Sequence, residues 1–211
     1  MNILIEKLQS NEFPILFTEK DLKKVLIEKS VLDTLFKEAI IKSWIVNVYG
    51  DIYTLDRKYR RNLLESGVLA QMLMPYSYVS TYSVLSEEGW IPEAVRKVTS
   101  ITNKNSIVIN TEKFGSFRYD KVYDTIPIAG IFTKITDQGE YKRATALRAI
   151  CDYMYMFNKN WNSIEDLNIN LRIPYEELQN LKKNDFECLQ GKLGYKNLEI
   201  FLDNIREELN L

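Results

Sequence analysis

Apolar side chains recur at three- and four-residue intervals from the start of the chain. Met1, Leu4, Ile5 and Leu8 share one face of a short helix. Pro14 interrupts before a second helix, for which Thr18 supplies an N-cap, Asp21 a first-turn acid, and Leu22, Val25 and Leu26 the inner face. After the turn Ile27-Glu28-Lys29, Ser30 reads as a new N-cap. Val31, Leu32, Leu35, Phe36, Ala39 and Ile40 then form the buried stripe of a third helix. The pattern next becomes β-rich, in residues 44–48 and 52–55, around Tyr49-Gly50-Asp51, where Gly50 suits the positive φ of a tight hairpin. Leu63, Leu64, Val68, Leu69 and Met72 mark a connecting helix.

In the second half, Ser80 reads as the cap of a helix that ends near Gly89. Residues 98–102 and 106–110 flank Asn103-Lys104-Asn105, which predicts a hairpin. Residues 116–121 alternate Phe117 and Tyr119 with polar side chains, as a half-buried strand does, and 128–135 predict another strand. Leu147, Ile150, Cys151, Met154 and Phe157 share a helical face, which makes Cys151 a small buried hydrophobe rather than a nucleophile. From Ser163 on the pattern is helical: 163–167, 174–181, a turn around Gly191-Lys192-Leu193-Gly194, and a last helix to about Leu209. The sum is an α+β protein with an N-terminal winged helix-turn-helix domain in 1–74, its connecting helix included. A mixed β-sheet and helix domain in 75–211 follows, the boundary falling in the nearly uncharged stretch before Pro75.

A winged helix usually meets duplex DNA, and composition limits how. With 28 basic and 29 acidic residues the net charge is −1, so bulk electrostatics cannot coat the protein onto nucleic acid or an anionic membrane. Binding has to come from local patches, and the acidic excess lies in residues 149–211. Ser30, Asp33 and Thr34 are the candidates for base edges, where an acid can accept from cytosine N4. Lys37, Lys42, Arg57, Lys58, Arg60 and Arg61 are the candidates for phosphate contact. Alone, the run Arg57-Lys58-Tyr59-Arg60-Arg61 reads as a solvated helix start; just beyond a wing it reads as a phosphate contact. Glu38 shares the outward face of the third helix, and the wing, with Asn47, Tyr49 and Asp51, carries no cation at its tip.

Catalytic chemistry finds little footing. No histidine is present, which removes the commonest general base and zinc ligand, and the two cysteines, Cys151 and Cys188, form no CxxC pair. GxxxxGK[ST], GxGxxG and GxSxG are absent. Glu87-Glu88, Glu176-Glu177 and Glu207-Glu208 read as solvated helix faces, and Tyr53, Tyr119 and Tyr153 as packing rather than base-stacking residues. The expectation is a protein without catalytic residues, metal or cofactor. No apolar stretch is long enough to span a bilayer and the start lacks the pattern of a secretory signal, so a cytoplasmic protein without a membrane partner is expected.

Pro75-Tyr76-Ser77-Tyr78-Val79-Ser80, then Ser83-Val84-Leu85, Gly89 and Ile91-Pro92-Glu93, resemble the AbiEi-like antitoxins of bacterial abortive-infection toxin–antitoxin systems. Val98-Thr99-Ser100-Ile101-Thr102-Asn103-Lys104, Gly115-Ser116-Phe117-Arg118-Tyr119 and Thr145-Ala146-Leu147-Arg148-Ala149-Ile150-Cys151-Asp152 match that family in order. Gly50-Asp51-Ile52-Tyr53-Thr54-Leu55 resembles the end of its wing, so the likeness runs over most of residues 15–155. The resemblance implies a winged helix that binds inverted repeats in operator DNA upstream of its own operon and represses it. It also implies a second domain that counters a nucleotidyltransferase-like toxin, without requiring a stable complex in such type IV systems. A basic surface of that domain would hold Lys97, Lys104, Arg118 and Lys121. The alternative is a protein-interaction module, in which the winged helix and the basic second domain dock on a protein partner without DNA.

Overall fold

The computed structural model describes residues 2–10, 12–25 and 27–211; Met1 and Leu26, both predicted on inner helix faces, lie outside them. The chain opens with α1 (Ile3–Leu8), β1 (Leu16–Thr18), α2 (Glu19–Leu22), α3 (Lys29–Ile41), β2 (Ile45–Tyr49) and β3 (Ile52–Leu55). Local chemistry explains most of these starts. The Asn2 side chain caps α1 by accepting from the N–H of Ile5. Thr18 and Asp21 form a reciprocal capping box at α2, satisfying two otherwise unpartnered N–H groups. α3 begins two residues earlier than a Ser30 cap would set it: Glu28 holds the cap position, and the Ser30 hydroxyl donates to its carboxylate at 2.7 Å. The predicted stripe of α3 is also narrower, because Leu32 and Ala39 are buried while Val31 and Ile40, at its margins, are exposed.

The sequence pattern does not predict β1, which completes an antiparallel sheet of order β1-β3-β2. Leu16 pairs with Thr54, and the Thr54 hydroxyl donates to the carbonyl of Ile15 at 2.9 Å. At the β2–β3 turn Gly50 sits at φ 54°, and the Asn47 amide donates to the Gly50 carbonyl at 2.8 Å, closing the loop on itself.

Then come α4 (Ser66–Leu73), β4 (Ser77–Val79), α5 (Tyr82–Glu87), β5 (Lys97–Thr102), β6 (Ile107–Thr111), β7 (Gly115–Lys121), β8 (Ile131–Thr136) and β9 (Gly139–Ala144). They make a six-stranded mixed sheet of order β6-β7-β5-β4-β9-β8, with β5–β7 and β4–β9 parallel. The protein is therefore α+β. The hairpin predicted between β5 and β6 does not form. β7 lies between them, because its fully buried Phe117 and Tyr119 belong in the sheet interior, whereas Ile107 and Val108 of β6 are exposed at the edge. The excursion through β6 supplies the crossover that parallel pairing of β5 and β7 needs.

Helices cover both faces of the sheet. α4 lies on one, where the Tyr119 hydroxyl donates to the Ala70 carbonyl and Gly67 lets the helix sit against the Tyr141 ring. α6 (Ala146–Met156) covers the other and is backed by α7 (Ile164–Leu171), α8 (Tyr175–Leu178), α9 (Lys183–Leu189) and α10 (Lys196–Glu208). Leu147, Ile150, Cys151 and Met154 are fully buried in this layer, but Phe157 is the C-cap of α6 and emerges to solvent. Leu16, Val48 and Ile52 of the small sheet pack into the same cluster as the large one. No helix among the described residues is long and apolar enough to cross a membrane.

Candidate nucleic-acid interface and a buried ion pair

α3 presents Ser30, Asp33, Thr34 and Lys37 to solvent. Their short side chains are partly spoken for locally: Thr34 donates back to the Ser30 carbonyl at 3.0 Å. Lys42, just past the helix, pairs with Glu38 at 2.7 Å and lies 4.7 Å from the centre of the Trp44 ring. Hydrogen bonds from Lys42 and from the Asn2 amide hold the Glu38 carboxyl below its ordinary value. One of the two acids on this face is thus neutralised by Lys42. Lys37 makes no ion pair among the described residues.

The basic run divides in two. Residues 57–59 form a turn rather than a helix start, and the Asp56 carboxylate accepts from the N–H of Lys58. Arg57 and Lys58 extend into solvent with no ion pair among the described residues. Arg60 instead is half-buried, its guanidinium 5.5 Å from the Phe114 ring and its Nε enclosed without a hydrogen-bond partner. Burial, with Arg57 adding repulsion, lowers its pKa. Arg61 donates to the Phe13 carbonyl at 3.0 Å. Nothing in the spacing of this five-residue run signals which cations face outward; the contact of Arg60 with Phe114 is non-local.

The four basic positions predicted in residues 75–211 also separate. Lys97 and Arg118 line an open cleft of about 480 Å³ between the sheet and α7, together with Arg96, which the sequence pattern does not single out. Arg118 is clasped by Asp120 through Nε at 2.8 Å, and Arg172, next after α7, pairs with Glu93 of the cleft wall. Lys104 lies 5.2 Å from the Tyr76 ring and Lys121 pairs with Asp124 at 3.0 Å, both outside the cleft. Glu87 and Glu88, expected to be merely solvated, face cations: Glu87 bonds Lys134, and Glu88 lies 3.0 Å from the buried Arg143.

Side chains of β4, of the segment after β7 and of α6 meet inside the protein. Asp152 and Arg148, one turn apart on α6, are wholly buried and bonded through Nε at 2.8 Å. Asp152 also accepts from the hydroxyls of Tyr78 (2.9 Å), Ser80 (2.7 Å) and Tyr123 (2.9 Å). Ser80 is therefore not the cap of α5. Thr81, at φ 51°, holds that position, and Ser80 turns inward to the carboxylate. Arg148 uses its remaining donors on the Tyr78 hydroxyl and on the carbonyls of Pro127 and Ala129, pinning the loop before β8. Burial opposes its charge, but Asp152 and the facing tyrosines outweigh that and raise its pKa. The pair is fully bonded and enclosed, so it organises the sheet–helix interface rather than offering a reactive group.

Among the described residues no group of three or more His, Cys, Asp and Glu could hold a metal ion. Compared with known proteins, the chain matches no protein-family model and no curated protein.

Proposed function

We propose that the chain is a DNA-binding autorepressor and antitoxin of the abortive-infection kind. On this reading residues 1–74 are a winged helix with its connecting helix, and residues 75–211 counter a nucleotidyltransferase-like toxin. The observation that carries the first half is the disposition of α3. It is backed by the three-stranded β1-β3-β2 sheet, follows α1 and α2, precedes a hairpin, and turns a polar face to solvent. A helix so mounted fits a major groove, with Ser30, Asp33 and Thr34 toward base edges and Lys37, Arg57 and Lys58 toward phosphates. The toxin-directed half rests on the resemblance, and Arg96, Lys97 and Arg118 are the surface we associate with it.

A labelled duplex from upstream of the chain's own gene tests the DNA half. Binding that weakens with added salt, with a slope of about −0.9 per phosphate contacted, is the expected outcome. Loss of all affinity at low salt refutes it. The second half is tested by growth rescue on co-expression with the neighbouring gene's product.

A second reading, docking on protein rather than DNA, is favoured by Asp33 and Glu38 on the α3 face and by the inward packing of Arg60. A stable complex with the toxin, unaffected by duplex DNA, would select it.

A further inference from the structure

β8 ends the six-stranded sheet, and its outer side has no partner strand among the described residues. It pairs with β9 without a bulge from Ile131↔Ala144 to Thr136↔Gly139, across the two-residue turn Asp137-Gln138. The alternation of an antiparallel ladder, counted from that closing pair, turns the N–H and C=O of Thr133 and Ile135 outward. Natural edges are usually blunted by a proline, a bulge or an outward charge. β8 has no proline and no bulge, and its one charged residue, Lys134, is drawn onto Glu87 and over the Tyr141 ring.

Apolar surface accompanies this open edge. Ile128, just before β8, is 85% exposed and Ile135 80%. Beside them lies a cavity of about 300 Å³ walled by Tyr76, Tyr78, Ile126, Ile131 and Phe132. Its lining includes one cation, Lys142, and no carboxylate. Lys142 makes no ion pair among the described residues, and the register places it directly opposite Thr133, on the same face of the sheet. Lys104 adds a second positive charge over the Tyr76 ring. The one acid on that face of β9 before Lys142 is Glu140, which stands opposite Ile135, nearer the hairpin.

We propose that the β8 edge accepts an extended segment of a partner protein as an added strand. An apolar side chain of that segment would enter the cavity, and an acidic side chain opposite Thr133 would reach Lys142. Backbone pairing with Thr133 and Ile135 gives such a mode its affinity, and alternate side chains give its specificity. Charge selects the occupant. A second copy of this chain, paired about Thr133, would bring another Thr133 flanked by its own Lys142 and no carboxylate to meet the first. An acidic segment supplies what the lining lacks.

The test uses the full chain and two fluorescein-labelled, end-capped peptides, Val-Thr-Glu-Thr-Val and Val-Thr-Lys-Thr-Val, in which the valines share the face of the central residue, followed by anisotropy. Saturable binding of the acidic peptide, weakened about tenfold in the basic one, is expected from pairing with Lys142. Lys142→Glu should reverse that preference. Thr133→Pro removes an outward N–H and should abolish binding of both peptides. Ile135→Glu, which adds a repelling charge to the exposed edge without touching the core, should weaken binding of the acidic peptide with the thermal transition unchanged. Absence of saturable binding, equal affinity for the two peptides, or indifference to Lys142→Glu overturns the proposal. Concentration-dependent self-association that Ile135→Glu abolishes also overturns it, giving the edge to a second copy.

Discussion

The Nε of Arg148 donates to Oδ1 of Asp152 across 2.8 Å, with neither side chain exposed to solvent. The carboxylate is shared with three hydroxyls from β4 and its neighbourhood, and the guanidinium with two carbonyls of the loop before β8. Removing one partner leaves the other charge enclosed, which is where most of the energetic weight of such a pair lies. Arg148→Met is therefore expected to cost about 3–5 kcal/mol in urea unfolding. Asp152→Asn leaves the Arg148 charge enclosed and turns an amide donor toward groups that now donate to the carboxylate, so it should cost a similar amount. Amides of residues 126–131 should exchange faster with solvent in Arg148→Met than elsewhere in the sheet. A loss under about 1 kcal/mol for Arg148→Met would contradict the view that burial makes the pair indispensable.

Acid should loosen the C-terminal helices through Asp166. Its carboxylate accepts from the N–H of Asn162 (2.8 Å) and Ser163 (3.1 Å) and from the Ser163 hydroxyl (3.0 Å). The Asn162 bond, followed by those of Ser163, holds its pKa below the ordinary 3.8. A folded pKa lower than the unfolded one adds stability that is fully present above the unfolded value and is lost as the pH falls through the folded value. Asp166→Asn should thus cost about 1 kcal/mol at pH 6, as capping residues do, and progressively less at a pH below the folded pKa of Asp166. Equal cost above and below that pKa would show that the charge does not matter.

The two thiols should react very differently. Cys151 is fully buried on α6, and burial, reinforced by Asp152, pushes its thiol well above its ordinary range; Cys188 is exposed. Since the thiolate is the nucleophile, native protein should consume one equivalent of an aromatic disulfide reagent at Cys188, and the second only in denaturant. Cys188→Ser should abolish the native reaction. Fast native labelling of Cys151 would show that α6 opens readily.

Elements with their own periodicity are legible in the sequence, and those defined by distant partners are not. Leu147, Ile150, Cys151 and Met154 announce α6 because a helix buries a face at fixed spacing. Thr18 and Asp21 announce α2 by a local bond pattern. β9 escapes the sequence pattern because Gly139-Glu140-Tyr141-Lys142-Arg143-Ala144 shows no apolar alternation: its inward side chains are Tyr141 and Arg143, the latter buried opposite Glu88. A good turn predicts the β5–β6 hairpin, but strand order is set by which face Phe117 and Tyr119 fill. Ser80 looks like a helix cap because a serine there has the right chemistry; that it serves Asp152 depends on a residue 72 positions away. The candidate DNA-contacting side chains of α3 are readable as an outward face, whereas the division within 57–61 is not.

That division yields the sharpest test of the proposed DNA interface. Arg57 and Lys58 stand in solvent, while Arg60 packs on Phe114 and Arg61 donates to the Phe13 carbonyl. If the run contacts phosphate, Arg57→Ala with Lys58→Ala should weaken duplex binding whatever the sequence and lower the salt slope by about 1 for each phosphate no longer neutralised. Folding stability should stay within about 0.5 kcal/mol of the parent, as exposed changes usually do. Arg60→Ala should behave in the opposite way. Removing an alkyl stem and a charge held against Phe114 alters packing between the small sheet and the β6–β7 turn, so stability should shift while the salt slope stays nearly unchanged. A salt slope that answers to Arg60 and ignores Arg57 and Lys58 would move the interface away from this turn and leave α3 to carry DNA binding alone.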